Sequence, residues 1–183
     1  CTAGSGSQLL CVACAKALPR LPAERCPRCA LPAPHNQICG HCLAQPPFFD
    51  SSRAAYRYAF PVDKLIQSFK YGHRLALAHF FGQQLAELGA DLESDLLIPM
   101  PLHPLRLRER GFNQALELAR FVCAEGRQTL DSQICTRTRH TPAQADLPFR
   151  ERIKNMRGAF HCKTDLSGKR IVLEAQLGAM RDI

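Results

Sequence analysis

From residue 55 onward, the apolar positions of the chain fall into two periodicities. Ala55-Tyr56-Arg57-Tyr58-Ala59-Phe60 alternates every second residue with aromatic enrichment, which predicts a strand. Pro61 then suits the first position of a helix, where a missing N–H costs nothing. Val62, Leu65, Ile66 and Phe69 follow the i, i+3, i+4, i+7 spacing of one buried face. Lys64, Gln67 and Lys70 fall elsewhere on that helix, and Gly72 ends it. A second helix is expected from Leu75 to Leu88, turning Ala78, Phe81, Leu85 and Leu88 inward, although Gly82 weakens a helix interior.

Leu96-Leu97-Ile98 is a short apolar run halted by Pro99 and Pro101, as in a buried strand that ends at a loop. A helix follows from Asn113 to Ala124 with Ala115, Leu118, Ala119 and Val122 as its inner stripe, and Cys123 reads as one more packed residue. Ser132–Thr138 is a candidate strand, Arg150–Met156 a short basic helix, and Lys169–Leu173 a core strand of branched aliphatics. Strand, helix and strand in alternation predict an α/β fold with parallel members. The Pro-rich stretch at Gln45-Pro46-Pro47-Phe48 is the expected boundary between this domain (48–183) and a smaller module (1–47).

The smaller module has no such periodicity; its regularity lies in cysteines. Cys11–Cys14, Cys26–Cys29 and Cys39–Cys42 are three C-x-x-C pairs. That spacing lets two thiolates on one tight turn reach the same ion, and two pairs complete a tetrahedral Zn²⁺ site. Cys26, Cys29, Cys39 and Cys42 therefore predict a structural zinc in a ribbon. A disulfide framework is the competing reading, disfavoured by the spacing and by the lack of a secretory signal. Domains this small rarely bury enough core to fold alone. Zinc contributes roughly 10–16 kcal/mol in finger-type peptides, so metal is expected to substitute for the core.

The first site is expected to be incomplete. Cys11 and Cys14 have only Cys1 upstream, and one reading makes Cys1 the second half of a pair that begins before this sequence. A second makes it a lipid-modified first residue tethered by Thr2–Ser7. A third closes a three-cysteine site with His35 or His41, although exposure to solvent is the ordinary fate of either histidine.

The formal net charge of +8 over 183 residues favours anionic partners, although such an excess also serves solubility. Between Met100 and Phe160 eleven Lys or Arg face six Asp or Glu. No apolar run approaches the length of a membrane span, and the cytoplasm is the expected compartment. The basic character peaks in Pro99–Gln114. There three prolines hold the backbone extended, Arg106, Arg108 and Arg110 bring guanidinium groups together, Gly111 permits an unusual turn, and Asn113 can cap the next helix. A cationic loop running from a buried strand into a helix makes a physically reasonable phosphate cradle; the plainer alternative is a solvated surface loop.

The segment Pro101–Gln114, PLHPLRLRERGFNQ, closely resembles the signature of the ComF family, competence-associated proteins that include GntX-like members. The resemblance extends to the repeated C-x-x-C pairs, to Phe69-Lys70-Tyr71-Gly72, to Arg137–Gln144 and to Arg150–Phe160. It implies a double zinc ribbon joined to a type I phosphoribosyltransferase-like domain. Arg106–Gln114 would correspond to the pyrophosphate-binding loop, and the segment bearing Arg137, Arg139 and Gln144 to the mobile loop over the active site. The family pattern continues after Leu173 into an acidic pair and a Thr-Gly-rich turn. Here Glu174 is a lone carboxylate and Gly178 a lone glycine. The backbone nest for a 5′-phosphate is missing from these residues, as a frameshift, a truncated gene or a chain boundary would leave it.

No appreciable transferase activity is therefore expected of this sequence. Mg²⁺ with phosphoribosyl pyrophosphate is expected only in a fuller form. Three functions compete: support of DNA uptake by binding a phosphate-bearing small molecule or single-stranded DNA, beside a helicase-type competence partner; phosphoribosyl transfer in nucleotide-linked metabolism; and a zinc-ribbon scaffold that docks another protein. For the first, Tyr56, Tyr58, Phe69 and Phe112 are candidate base-stacking side chains, Phe69 more naturally a core residue.

Overall fold

The computed structural model describes residues 9–124, 128–144 and 147–174. The chain divides into two compact units, residues 1–64 and 65–183. The described elements are α1 (Val12–Lys16), a 3-10 turn (Pro34–Asn36), α2 (Gly40–Ala44), α3 (Val62–Tyr71), α4 (Ala76–Leu88), β1 (Leu96–Pro99), α5 (Pro104–Arg110), α6 (Gln114–Cys123), β2 (Cys135–Arg137), α7 (Phe149–Met156), β3 (Phe160–Cys162) and β4 (Ile171–Glu174). No helix among the described residues is long and apolar enough to cross a membrane.

The first unit has little hydrocarbon to bury, and its interior is built largely on sulfur. Cys26, Cys29, Cys42 and Ala33 are buried together, with Leu31 and Cys39 packed against them. The strand expected over Ala55–Phe60 does not form. Tyr56 makes a single bridge with Arg20, and the Arg57 N–H donates to the Pro19 carbonyl at 2.8 Å. The ladder stops there because the facing segment carries Pro19 and Pro22, which have no N–H to donate.

In the second unit the helical periodicities hold. α3 buries Phe69 completely, and α4 buries Leu77, Ala78 and Phe81. Gly82 has a packing reason: a Cβ there would lie 2.5 Å from the Cβ of Phe121 on α6, so α4 and α6 can approach only over a glycine. α6 buries Ala115, Leu118 and Ala119, whereas Val122 is half-buried. β1 and β4 pair in parallel from Leu96↔Ile171 to Pro99↔Glu174, and Leu97 adds a parallel bridge to Leu130. The fold is α/β with a parallel sheet, as the alternation of elements implied.

Two readings change. The segment expected as an extended loop is largely the helix α5. Pro104 occupies its first turn, the His103 Nδ1 accepts the Leu105 N–H at 3.3 Å, and Leu-Arg-Leu-Arg-Glu-Arg is a run of good helix formers. The strand expected over Ser132–Thr138 shrinks to Cys135–Arg137 and joins β3 in a separate antiparallel pair. Cys135 and Cys162 stand directly opposite in that pair, Cα atoms 4.3 Å apart, and are disulfide-bonded. Neither of these two cysteines belongs to a C-x-x-C pair, and their bond is not among the features expected from the sequence.

Candidate functional site

The Sγ atoms of Cys26, Cys29, Cys39 and Cys42 all lie within 4.8 Å of one another. Four thiolates each about 2.3 Å from a tetrahedral ion sit roughly 3.8 Å apart, and Cys29 Sγ to Cys39 Sγ is 3.7 Å. The Cys39 N–H donates to Cys26 Sγ at 3.4 Å, the kind of outer contact that orients a metal thiolate. Burial pushes the Cys26 thiol up, but the backbone N–H groups of Cys29, Cys39 and Arg28 outweigh it and bring it to about 6. Cys42 is pushed up to about 12 by burial and by its three sulfur neighbours. One thiolate forms readily in this cluster and the last does not, unless a cation supplies the missing charge. Donor set, spacing and charge deficit fit Zn²⁺.

Of the other proposed ligands, Cys1 lies outside the described residues. Cys11 precedes α1 and Cys14 lies within it, both half-buried, while His35 and His41 are exposed. Among the described residues neither Cys11 nor Cys14 belongs to a metal-sized group of three or more ligands.

The second cluster is cationic and belongs to the 65–183 unit. Because α5 is a helix, Arg106 and Arg110 share one side at i, i+4, while Arg108 falls on the opposite side and is exposed. Arg137, on β2, joins the first two: burial and then the charges of Arg106 and Arg110 lower its pKa. The buried Nε atoms of Arg110 and Arg137 have no hydrogen-bond partner among the described residues. Arg106 is partly answered by Glu109 at 3.4 Å. Arg137 also donates to Thr141 Oγ1 and lies over the Phe160 ring at 5.6 Å.

His103 and His140, ring centroids 5.1 Å apart, flank the N-terminal end of α5. Burial, His140 and Arg137 all lower the pKa of His103, which matches the acceptor role of its Nδ1. At the other end Gly111 takes φ +76°, closing α5 in the left-handed conformation that favours glycine. Asn113 then caps α6 by accepting from the Ala115 N–H at 3.0 Å, and its amide donates to the Met100 carbonyl at 3.1 Å. Gly111 and Asn113 therefore shape the corner with their backbone and amide.

Arg139 and Gln144 are engaged elsewhere. Arg139 donates to the carbonyls of Asn155 and Arg157, each at 2.7 Å, and Gln144 to that of Arg152 at 3.3 Å. They tie the segment after β2 to α7. Phe69 is fully buried and so is no stacking platform; Phe112 packs on it at 5.6 Å.

Sequence reasoning placed Lys70 off the buried face of α3 and missed its position. It is half-buried, and burial followed by the charge of Arg110 lowers its pKa to about 8. The signal available was the word Phe69-Lys70-Tyr71-Gly72.

Glu174 ends β4, buried, with Oε2 unpartnered among the described residues; burial raises its pKa to about 8. The folded state thus holds this proton more tightly than the unfolded chain, whose carboxyl titrates near 4.5. The stabilisation is complete below about 4.5 and is lost as pH rises to about 8. The urea midpoint of the protein is expected to fall across that window, and Glu174→Gln to flatten the fall. Equal slopes in both proteins would show that the carboxyl is already ionised.

No protein-family model matches the chain, and no solved structure matches it. Curated relatives do. The DNA utilization protein YhgH of Shigella flexneri is 32% identical over 172 residues, covering 90% of this chain and 75% of that protein. Competence protein F of Haemophilus influenzae is 29% identical over 163 residues, 82% of this chain and 69% of that protein. Competence protein ComFC of Bacillus subtilis is 25% identical over 119 residues, 60% and 50% respectively.

Proposed function

The chain belongs to the ComF family, and from that premise we propose that it supports DNA uptake and use by holding phosphate-bearing ligands on the basic face of α5. The observation that carries this reading is the positive charge gathered at Arg106, Arg110 and Arg137, which among the described residues only Glu109 answers, and only in part. Arg106 and Arg110 lie close enough to lower the pKa of Arg137, and the buried Nε atoms of Arg110 and Arg137 lack acceptors among the described residues, so the cluster is costly to keep together. A multi-oxygen anion relieves that cost, and the planar guanidinium suits phosphate. The position fits as well, because α5 follows the carboxyl end of β1, where open α/β sheets bind ligands. The names of the relatives, DNA utilization and competence, agree in kind with a polyanion ligand.

The same placement supports a second reading, that the domain is phosphoribosyltransferase-like. Parallel β1 and β4 end side by side, one leading to the basic helix and the other in the buried carboxyl of Glu174. In either reading the four-cysteine cluster holds structural zinc and does no chemistry.

Binding of labelled single-stranded DNA across a salt series tests the primary reading. Three neutralised phosphates at about 0.7 each give a slope of roughly −2 in log K against log salt. A flat titration, or no detectable binding at low salt, would contradict it.

A further inference from the structure

The disulfide of the 65–183 unit and Arg137 belong to the same strand pair and to the same face of it. The register sets Cys135 opposite Cys162 and, two residues along each strand, Arg137 opposite Phe160. Alternate residues of a strand share a face. The Cys135–Cys162 bond and the Arg137 guanidinium over the Phe160 ring are therefore successive rungs on one side. We propose that Cys135–Cys162 is a reversible redox site that exchanges with small thiols of the glutathione class, and that its oxidised form locks Arg137 in place. The redox site stands on its own geometry; only its effect on ligand affinity rests on the phosphate reading above.

Little else specifies this register. Each strand has three residues and none of them is buried, so no apolar face holds the pairing in position. A slip by one residue would turn Arg137 to the opposite face of the pair. The backbone contributes Lys163 N–H to the Ile134 carbonyl and Thr138 N–H to the Ala159 carbonyl, both at 2.9 Å. Beyond Thr138, Arg139 ties the segment to α7 through the carbonyls of Asn155 and Arg157. At the Cys135 end the covalent bond takes that part. Its cysteines are 27 positions apart and enclose all of α7. A cross-link over such a span disfavours opening by a factor on the order of 100 or more.

The bond is also open to exchange. Cys162 is exposed and Cys135 half-buried, and exposed disulfides are the labile ones. The same chain keeps Cys26, Cys29, Cys39 and Cys42 as free thiols. Such thiols persist in reducing surroundings, where disulfides are mostly transient or redox-sensing. In the forward step a small thiolate attacks Cys162 Sγ. The S–S bond breaks, and its electron pair leaves on Cys135 Sγ, which takes up a proton. A second thiolate attacks the small-molecule sulfur of the mixed disulfide and releases Cys162, which is protonated in turn. Two small thiols are thereby oxidised to their disulfide, and the protein gains two thiols.

Equilibrating the full chain over a series of glutathione to glutathione disulfide ratios tests this. Alkylated mass, amide exchange and affinity for labelled single-stranded DNA are read on each sample. Reduction is expected to add two alkylatable thiols without denaturant and to speed exchange of the Lys163 amide about tenfold or more. DNA binding should weaken about 3–10-fold, less than the roughly 10–100-fold that full loss of one charge-assisted contact gives. Cys135→Ser combined with Cys162→Ser should behave as the reduced protein at every ratio, which separates this pair from the cysteines of the first unit. Arg137→Ala should keep the two-thiol response and lose the redox dependence of DNA binding. A disulfide that resists excess glutathione until the chain is unfolded would overturn the redox site, as would thiols that never pair under excess glutathione disulfide. Exchange with unchanged amide protection and unchanged affinity would overturn the lock. If no form binds DNA while thiol count and amide exchange still respond, the phosphate reading fails and the redox site stands.

Discussion

Stripping metal from the protein with a strong chelator is expected to unfold residues 9–64 while the helix–strand unit that follows keeps its structure. The reason lies in what the first unit buries. Its sulfur-centred cluster is Cys26, Cys29, Cys42 and Ala33, with Leu31 and Cys39 at the edge, and beyond it Leu18, Ala30 and Val62 are the other buried apolar side chains among the described residues of that unit. Without a cation the four sulfurs either repel as thiolates or remain thiols with nothing to hold them in register. At roughly 25 cal/mol per Å² of apolar area such an interior contributes little, whereas zinc contributes roughly 10–16 kcal/mol in comparable peptides. Cys26→Ser should mimic the chelator, because it removes a fully buried ligand. Elemental analysis should return one zinc at this site, and hydrogen exchange should show protection lost in the first unit alone. Full protection there after complete metal removal would mean that the fold does not depend on metal.

The second large effect is expected from Arg106→Ala combined with Arg110→Ala. Each charge-assisted contact to phosphate is worth about 1.5–3 kcal/mol, so the pair should reduce affinity for single-stranded DNA or pyrophosphate by at least about 100-fold. The salt slope should become shallower by about 0.7 for each lost contact on a single strand. Folding should be unharmed or improved, because Arg137 loses two like charges that depress it. Arg108→Ala provides the contrast. Its side chain lies on the exposed, opposite side of α5, so it acts only through long-range charge and should cost less than about threefold. Equal losses from Arg108 and Arg110 variants would mean that the whole helix is a diffuse basic surface with no defined site.

The sequence is most legible where spacing alone dictates structure. Cys26, Cys29, Cys39 and Cys42 are found from two C-x-x-C turns because local geometry brings each pair together and the fold sets all four sulfurs within 4.8 Å of one another. α3, α4 and α6 are found from apolar stripes because each buries one continuous face. α5 escapes because it is mostly charged and opens among prolines, so the cues for an extended loop outweigh the helix propensity of its interior. This matters for the site: helical geometry, rather than proximity in a loop, unites Arg106 with Arg110 and sets Arg108 apart.

β2 and β3 span three residues each, too few for a period-2 pattern to stand out, and Cys135 and Cys162 are 27 positions apart with no local motif to pair them. Lys70 is hidden for another reason. It is off the main stripe of α3, yet the last turn of that helix abuts the α5–α6 corner, a contact that no single-helix pattern contains.

Competition between two ligands tests the central claim most directly. With fluorescent single-stranded DNA bound at low salt, added inorganic pyrophosphate should displace it completely at a constant buffer ionic strength, and Arg110→Ala should weaken the binding of both ligands by about tenfold or more. DNA that stays bound under saturating pyrophosphate, or an Arg110→Ala protein that binds as tightly as the original, would contradict a phosphate site on α5.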